Sequence, residues 1–285
     1  MIVCKSPAEI ERMRAANALV ADVLAELASM AAPGVTTAEL DAKAESLVRD
    51  AGAEPAFKGY RGYPASLCVS VNEEVVHGIP SSRVLVAGDI VSLDMGVKLN
   101  GYYGDSAVTV PVGTVDENVR KLLRVTREAL DKGIAQVKVG GRISDIGHAI
   151  QAHVEANGFS VVREFVGHGI GASLHEEPQI ANYGEPGHGP RLAEGMVLAI
   201  EPMVNAGKPA VKVLGDGWTA VTKDGSLAAH FEHTVAVTSG EPWILTARGV
   251  VAGARREAAD PPAPASSRAK SGDGRSRAGM APPHR

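Results

Sequence analysis

The chain has 285 residues, a formal net charge of −4, 45% hydrophobic residues and 22% charged residues. This composition is typical of a globular protein, and the small negative charge gives no indication of specific nucleic-acid binding. Only two cysteines occur, Cys4 and Cys68, so no disulfide framework is predicted. No window approaches the ~18 apolar residues of a membrane span, and the N-terminus lacks an apolar signal core. We therefore expect a soluble, cytoplasmic protein with no membrane partner.

The first predicted element is a long helix that begins with a capping box. Residues 6–9, Ser-Pro-Ala-Glu, supply an N-cap hydroxyl, a proline at the first helical position and a carboxylate at N3. Apolar residues then recur with helical spacing until Pro-Gly at 33–34, which ends the helix. A second, shorter helix is predicted from Thr36 to Gly52.

The same pattern recurs in the second half of the chain. A long helix is predicted from Asp116 to about Val137, and a shorter one from Ser144 to Gly158. Aligning residues 33–52 with 139–158 matches Leu40 with Ile146, Ala44 with Ile150, Val48 with Val154 and Gly52 with Gly158. We interpret the chain as two related αα-β halves whose strands line a common site.

Strands fill the remainder of both halves. They are predicted around Ser66–Val71, Val84–Leu93, Val161–Phe165, Val197–Val204, Val211–Val213, Trp218–Val221 and Thr234–Val237. In addition, the stretch from Val91 to Ser106 predicts a β-hairpin. Its turn is Asn100-Gly101, a dipeptide favoured in two-residue hairpin loops because both positions accept a positive φ.

This hairpin brings Asp94 and Asp105 to neighbouring positions on adjacent strands. Two facing carboxylates inside a sheet cost several kcal/mol unless a cation neutralises them. The alternative is that both lie at strand ends in water. Polar groups in three further apolar runs add His168, Glu201 and Glu232. Four carboxylates and one imidazole suit a pair of divalent ions, whereas a thiolate-rich set would indicate structural zinc.

These residues lie in motifs that resemble type I methionine aminopeptidases. The motifs are GYRGYPASLCVSVNEEVVHGIP, LDMGV, GYYGDS, GHGIGASLHEEPQI, IEPMV and DGWTAVTKDGSLAAHFEHT, and the resemblance covers about residues 5–245. It implies the α+β pita-bread fold, in which two pseudo-symmetric αα-β halves surround a central antiparallel sheet with helices on its outer face. We expect a single catalytic metallopeptidase domain at residues 1–250.

The resemblance also implies a ligand set for two divalent metal ions per chain, with Co, Mn, Fe and Zn all compatible. Asp94 is expected to bind one metal, and Asp105 and Glu232 to bridge both. His168 and Glu201 are expected to complete the other metal's ligands. The free α-amine of the substrate would lie near the second metal, so that only the first residue is removed.

Three residues are implied to act in catalysis. Glu201 would shuttle the proton of a water or hydroxide held between the metals. His175 resembles the family histidine that hydrogen-bonds the scissile carbonyl and the developing oxyanion. His77 resembles the histidine that contacts the scissile amide from the other side.

An apolar pocket is expected to hold the methionine side chain, because a thioether packs well against aromatic edges and a thiol. The substrate-binding positions implied by the resemblance are Tyr60, Tyr63, Cys68, His77, His175 and Trp218. Three positions depart from the family pattern. Phe57 stands where bacterial relatives commonly have a small residue, and Leu174 stands where an aromatic one is common. Arg61 replaces a histidine of several relatives, which leaves the details of substrate approach open.

Residues 251–285 form a tail rich in Pro, Ala, Ser and Arg, with no aromatic residue. Such a segment cannot bury enough apolar surface to offset the entropy cost of ordering, so we predict disorder. Basic residues outnumber acidic ones in the tail. It is therefore either a solvated extension or an arm that contacts the ribosome or RNA.

The resemblance implies removal of the initiator methionine from nascent polypeptides whose second residue is small, by a monomeric enzyme. Two alternatives remain open. One is a proline-directed aminopeptidase or prolidase of the same metal architecture, which usually has a large additional N-terminal domain and lacks the GYxGYP and DGWT motifs. The other is a non-catalytic protein-binding relative on the same fold. Such relatives lose metal ligands, whereas this chain has all five.

Overall fold

The computed structural model describes residues 1–248, so the tail predicted at 251–285 lies outside the described residues. The boundary predicted after residue 250 therefore stays a prediction. The helices of the described part are α1 (Pro7–Met30), α2 (Thr37–Asp50), α3 (Glu117–Ile134) and α4 (Ile143–Ala156). None of these helices is long and apolar enough to cross a membrane.

Capping boxes define the starts of the first two helices, and the one at residues 6–9 was predicted. The Ser6 side chain accepts a hydrogen bond from the backbone N–H of Glu9, and the Glu9 carboxylate accepts one from the Ser6 N–H. Thr36 and Glu39 make the same reciprocal pair at the start of α2. These pairs satisfy backbone donors that have no partner inside the helix.

The internal repeat predicted from the sequence is present in the backbone. In the alignment of the two halves, the bounds of α4 correspond residue for residue to those of α2. The matched apolar residues of α2 and α4 are all fully buried. The loops before these helices also make equivalent hydrogen bonds, from Gly34 N to Leu85 O and from Gly140 N to Leu192 O.

Short strands make up most of the sheet structure. In chain order the described strands are β1 (Glu54–Pro55), β2 (Cys68–Val71), β3 (Glu74–Val76), β4 (Ile90–Leu99), β5 (Tyr102–Pro111), β6 (Ser160–Val161), β7 (Gly167–Gly169), β8 (Glu176–Ile180), β9 (Val197–Ile200), β10 (Met203–Asn205), β11 (Val211–Val213), β12 (Ala220–Thr222), β13 (Ala228–His230), β14 (His233–Ala236) and β15 (Trp243–Ile244).

These strands form antiparallel ladders, and the two larger ladders pack against the helices of their own half. One ladder has the order β1-β4-β2 with β5 on β4, and another has the order β15-β14-β9-β7-β8. Two smaller ladders are β13-β10-β6 and β11-β12-β3. Side chains of α1 and α2 share a core with β2 and β4, while α3 and α4 share one with β9 and β14. A bridge between Ala107 and Glu232 joins the two larger ladders at the centre.

Three predicted strands were too long. The strand predicted at Val84–Leu93 begins only at Ile90, because a turn with Gly88 at φ +102° precedes it. The strand predicted at Val197–Val204 is split into β9 and β10 at Glu201-Pro202, since proline cannot donate a ladder hydrogen bond. Of Val161–Phe165 only the start is a strand, in β6.

The other strand predictions differ by one or two residues or agree. The strand predicted at Ser66–Val71 begins at Cys68, and the one predicted at Trp218–Val221 corresponds to β12. Thr234–Val237 is shifted by one residue in β14, and Val211–Val213 agrees with β11. The hairpin prediction is confirmed: Asn100 and Gly101 have φ values of 53° and 83° and connect β4 to β5.

We predict that Gly104→Ala destabilises the fold, because the hairpin packs directly on α1 at Gly104. A Cβ at this position would lie 2.8 Å from the Asn17 backbone nitrogen and 2.9 Å from the Ala16 carbonyl carbon. The free energy of unfolding, measured by urea denaturation, should fall by about 1–3 kcal/mol. As a control, Gly215→Ala adds a Cβ into open space and should change it by less than about 0.5 kcal/mol. Equal effects of the two substitutions would contradict this account of the packing.

Candidate active site

The β4–β5 hairpin places two carboxylates on one face. Asp94 is opposite Ala107 and Asp105 is opposite Gly96, so the two aspartates are diagonal neighbours on that face. Their exposed fractions are 8% and 4%. The alternative that both lie at strand ends in water is therefore wrong.

The second half of the chain brings three further residues to the same place. His168 lies in β7, Glu201 follows β9 and Glu232 precedes β14, and these strands are neighbours in one ladder. Ligand atoms of Asp105, His168 and Glu232 all lie within 4.8 Å of one another. His168 Nε2 is 3.6 Å from Glu201 Oε1. All five residues predicted as metal ligands are thus brought together from both halves.

Hydrogen bonds between the halves hold the ligand-bearing segments in register. Ser106 Oγ donates to the Glu232 carbonyl oxygen at 2.6 Å, and Thr234 Oγ1 donates to the Asp105 carbonyl oxygen at 2.8 Å. The Glu232 N–H donates to the Ala107 carbonyl oxygen at 2.9 Å. Because these bonds use backbone groups of ligand residues, the carboxylate positions are fixed by the strands themselves.

Burial strongly perturbs the titration of the cluster. It raises the pKa of Asp105 to about 7. Burial is also the main cause of the raised pKa values of Asp94, Glu201 and Glu232, and repulsion by neighbouring carboxylates raises them further. Burial lowers the pKa of His168 to about 3, so its imidazole is neutral at neutral pH.

The cluster fits divalent cations. Asp94 Oδ1, Asp105 Oδ1 and Glu232 Oε1 are buried and have no hydrogen-bond partner in the described structure. His168 Nδ1 lies 2.9 Å from the Gly169 carbonyl oxygen, so the Nδ1–H donates to it. The Nε2 lone pair then faces the carboxylates, which is the usual tautomer of a metal-binding histidine. Unpaired carboxylate oxygens and a neutral imidazole are the donor set that the predicted ions require.

A cavity of about 140 Å³ opens beside the carboxylates. Its walls combine the carboxylate cluster with aromatic and apolar side chains. Besides the five predicted ligands, the lining residues are Phe57, Tyr60, Arg61, Tyr63, Cys68, Val76, His77, Leu174, His175 and Trp218. Every residue predicted for the site therefore lines this one cavity.

One wall of the cavity, which includes Tyr63, Cys68 and Trp218, is apolar. The polar atoms of Tyr63 and Cys68 are hydrogen-bonded within the protein or uncharged. The rings of Tyr63 and Trp218 meet edge-to-face at 5.1 Å. The Tyr63 hydroxyl donates to the Gly78 carbonyl oxygen at 2.8 Å, so its polar end is bound within the protein. Cys68 is paired with Asp94 across β2 and β4, and burial raises the pKa of its thiol. The wall is consequently uncharged at neutral pH.

Two histidines flank the cavity. The His175 ring stacks on Tyr60 with centroids 5.3 Å apart, and its centroid is 4.0 Å from that of His168. The His77 ring contacts the edge of Phe165 at 5.4 Å. Burial lowers the pKa of His77 to about 4. Desolvation by the groups packed around its ring, together with the charge of Arg61, also lowers the pKa of His175, although the residue keeps solvent-exposed surface. Both rings are therefore neutral at neutral pH and each has one N–H to donate.

Some residues around the cavity were not predicted from the sequence. His230 is buried, and its Nε2 lies 3.8 Å from Glu201 Oε2. His230 lies two residues before Glu232, and in a strand both side chains point to the same face. This spacing could have identified His230 from the sequence. Val76 lines the cavity, and Phe165 packs on His77. No local pattern marks these two, because only the tertiary fold brings them here.

Comparison with known proteins identifies the family. The family described as Metallopeptidase family M24 matches residues 11–239. Methionine aminopeptidase 1 of Bacillus subtilis is 58% identical over 246 residues, which are 86% of this chain and 99% of that protein.

Solved structures agree in fold. A methionine aminopeptidase from Rickettsia prowazekii superposes with a TM-score of 0.86 at 42% identity, covering 87% of this chain and 100% of the other. One from Thermotoga maritima gives a TM-score of 0.85 at 51% identity, covering 86% of this chain and 99% of the other. These matches confirm the predicted α+β pita-bread fold. With its sequence match, its fold and its buried cluster of metal-ligand type all in agreement, this chain belongs to metallopeptidase family M24.

Proposed function

We propose that the chain is a metal-dependent aminopeptidase that removes the N-terminal methionine from nascent proteins and peptides whose second residue is small. One observation supports this most. A single cavity joins a buried carboxylate–imidazole cluster to an uncharged, aromatic wall. The names of the relatives point to the same reaction.

In this proposal two divalent ions, of Co, Mn, Fe or Zn, are held by the five ligands Asp94, Asp105, His168, Glu201 and Glu232. Bound divalent ions supply a nucleophile from water at neutral pH, by lowering its pKa. The non-catalytic alternative is not favoured, because such relatives lose ligands and all five are in place here.

The side chains around the ions perform the proton transfers. Glu201 is proposed to accept the proton of the attacking water and to pass it to the leaving amine. Its backbone is fixed, because Asn182 Nδ2 donates to the Glu201 carbonyl oxygen at 3.0 Å. His175, clamped between Tyr60 and His168, is proposed to donate its N–H to the carbonyl oxygen as negative charge develops there. His77 is proposed to contact the amide from the other side.

The methionine side chain is proposed to bind against Tyr60, Tyr63, Cys68 and Trp218. Contacts between a thioether and aromatic edges contribute roughly 0.3–1.5 kcal/mol each. Because this wall is uncharged, it would reject a charged first residue, which would lose its hydration without gaining a partner. Phe57 and Leu174, which both depart from the family pattern, line the cavity. The sizes of these two side chains therefore both affect the space left for the substrate.

The proposed setting is the cytoplasm, with a monomer acting on nascent chains. Cys4 and Cys68 are both free, as expected for a protein of a reducing compartment. A contact of the basic tail with the ribosome stays a prediction, since the tail lies outside the described residues.

The reaction itself gives the first test of the proposal. Methionine should be released from a Met-Ala-Ser peptide but not from Met-Lys-Ser, because the second residue must be small. A chelator should abolish release, and Mn²⁺ or Co²⁺ should restore it. Free methionine is quantified by chromatography. Release from a Lys-Ala-Ser peptide at the same rate would contradict the proposed pocket, and absence of release with every metal would contradict the reaction.

We predict that Glu201→Ala lowers kcat by about 10²–10⁴-fold, because it removes the proposed proton shuttle and with it one of the proposed metal ligands. Circular dichroism should show an unchanged fold. Glu194→Ala, which removes an exposed carboxylate outside the cavity, serves as the control and should retain activity. Full activity of Glu201→Ala would refute the proposed mechanism.

Stability of the metal-free protein should fall as the pH rises from about 4 to about 7. The pKa of Asp105 is about 7 in the folded chain, against an ordinary value of 3.8. Over this pH range the folded state therefore keeps a proton that the unfolded state has released, and the free energy of unfolding decreases. Urea denaturation of chelator-treated protein at about pH 5 and about pH 8 measures the effect.

Two comparisons control this prediction. Added Mn²⁺ should restore stability at about pH 8, because the cation replaces the protons in the cluster. Asp105→Asn should reduce the pH dependence of the metal-free protein, since it removes the titrating group. Metal-free protein that is more stable at about pH 8 than at about pH 5 would show that the cluster does not retain its protons.

A further inference from the structure

Arg61 stands apart from the other residues that line the cavity. It is the only lysine or arginine among them, and it is exposed to solvent. Within residues 1–248, no carboxylate lies within the 4.0 Å ion-pair distance of its guanidinium. The mouth of the cavity thus carries a positive charge that has no partner in the described part of the protein.

The Arg61 side chain lies at the outer end of a column of planar groups. Its guanidinium carbon is 5.4 Å from the centre of the Tyr60 ring, a cation–π contact. Tyr60 stacks on His175 with an angle of 14° between the rings, and the His175 ring in turn contacts the His168 ring. The column leads from the carboxylate cluster to solvent, with Arg61 as its last member.

The backbone at Arg61 has an uncommon conformation. Its φ is 51°, in the left-handed region that few residues other than glycine adopt, and it lies between Gly59 and Gly62, which also have positive φ values. The turn is closed by a hydrogen bond of 2.8 Å from the Gly59 N–H to the Tyr63 carbonyl oxygen. Such conformations persist where the surrounding structure enforces them, and they cluster at functional sites. The loop therefore holds Arg61 at the rim.

A substrate bound as proposed above would pass this charge. Of the residues lining the cavity, Arg61 and His175 are the ones that are exposed, so the cavity opens to solvent beside them. Once the first residue occupies the uncharged wall and the scissile bond lies at His175, the following residues must leave through this opening. Their side chains then come within range of the unpaired guanidinium.

We propose that Arg61 is a specificity-determining residue that favours substrates with an aspartate or glutamate shortly after the scissile bond. This inference rests on the proposed aminopeptidase function. An acidic side chain gains a charge-assisted contact with the guanidinium, while a lysine or arginine at the same place is repelled. The selection acts on substrate binding and therefore on KM.

The test uses peptides that differ only in their third residue, Met-Ala-Asp-Ser, Met-Ala-Lys-Ser and the same pair with glutamate and arginine. All have an amidated C-terminus, so that a terminal carboxylate cannot take the place of the acidic side chain. The kcat/KM of the acidic peptide should exceed that of the basic one by about two- to fivefold, the range of an exposed ion pair. Raising the salt concentration should reduce this ratio, because it screens exposed charges.

Variants assign the effect to Arg61. Arg61→Gln should bring the ratio of kcat/KM for the acidic peptide to that for the basic peptide close to one. Arg61→Glu should invert this ratio, and Arg61→Lys should keep most of it. Lys58→Gln is the control, because Lys58 is an exposed cation that is paired with Glu45 and does not line the cavity. It should leave the ratio unchanged.

Two results would overturn the inference in different ways. If Arg61→Gln lowers kcat on every peptide equally and keeps the ratio, Arg61 acts only through the Tyr60–His175 column and does not select substrates. If the unmodified protein releases no methionine from any peptide with any divalent metal, the proposed function fails, and the inference fails with it.

Discussion

Four carboxylates share a site from which water is largely excluded, and this electrostatic conflict is the constraint on which the structure depends. Burial raises the pKa values of all four, and repulsion by neighbouring carboxylates raises those of Asp94, Glu201 and Glu232 further. Without a compensating charge such an arrangement is unfavourable, because each buried anion loses its hydration. The fold tolerates the conflict because hydrogen bonds from Ser106 and Thr234 hold the strands that carry the acids. The close placement of the four acids therefore lowers the stability of the metal-free fold.

The internal repeat explains how the cavity receives its carboxylates and its imidazole from both halves of the chain. Helices α2 and α4 start and end at matching positions, and each covers the sheet of its own half. The first half supplies the two aspartates on a tight hairpin, while the second supplies His168, Glu201 and Glu232 from adjacent strands. Related halves thus make unequal contributions to one centre.

Much of the fold could be predicted from the sequence because its signals are local, whereas most residues of the site were implied by the resemblance of their motifs to the methionine aminopeptidases. Capping boxes, apolar spacing and the Asn100-Gly101 turn gave the helices and the hairpin. Strand β7 was missed because Gly167 and Gly169 have low strand propensity. Their role is tertiary: a Cβ at either position would collide with a neighbouring strand's carbonyl oxygen. Phe165 was missed because only the folded chain brings it against His77, whereas the spacing of His230 from Glu232 could have identified it.

The division of the ligands between the halves has a mechanical consequence. A cation held by both Asp105 and Glu232 would link the first half of the chain to the second, so that separating the halves at this contact would cost its binding free energy. By thermodynamic linkage, whatever tightens this contact must retain the cation more firmly, and whatever loosens it must shed the cation. The binding free energy of such a cation would therefore also stabilise the contact between the two halves.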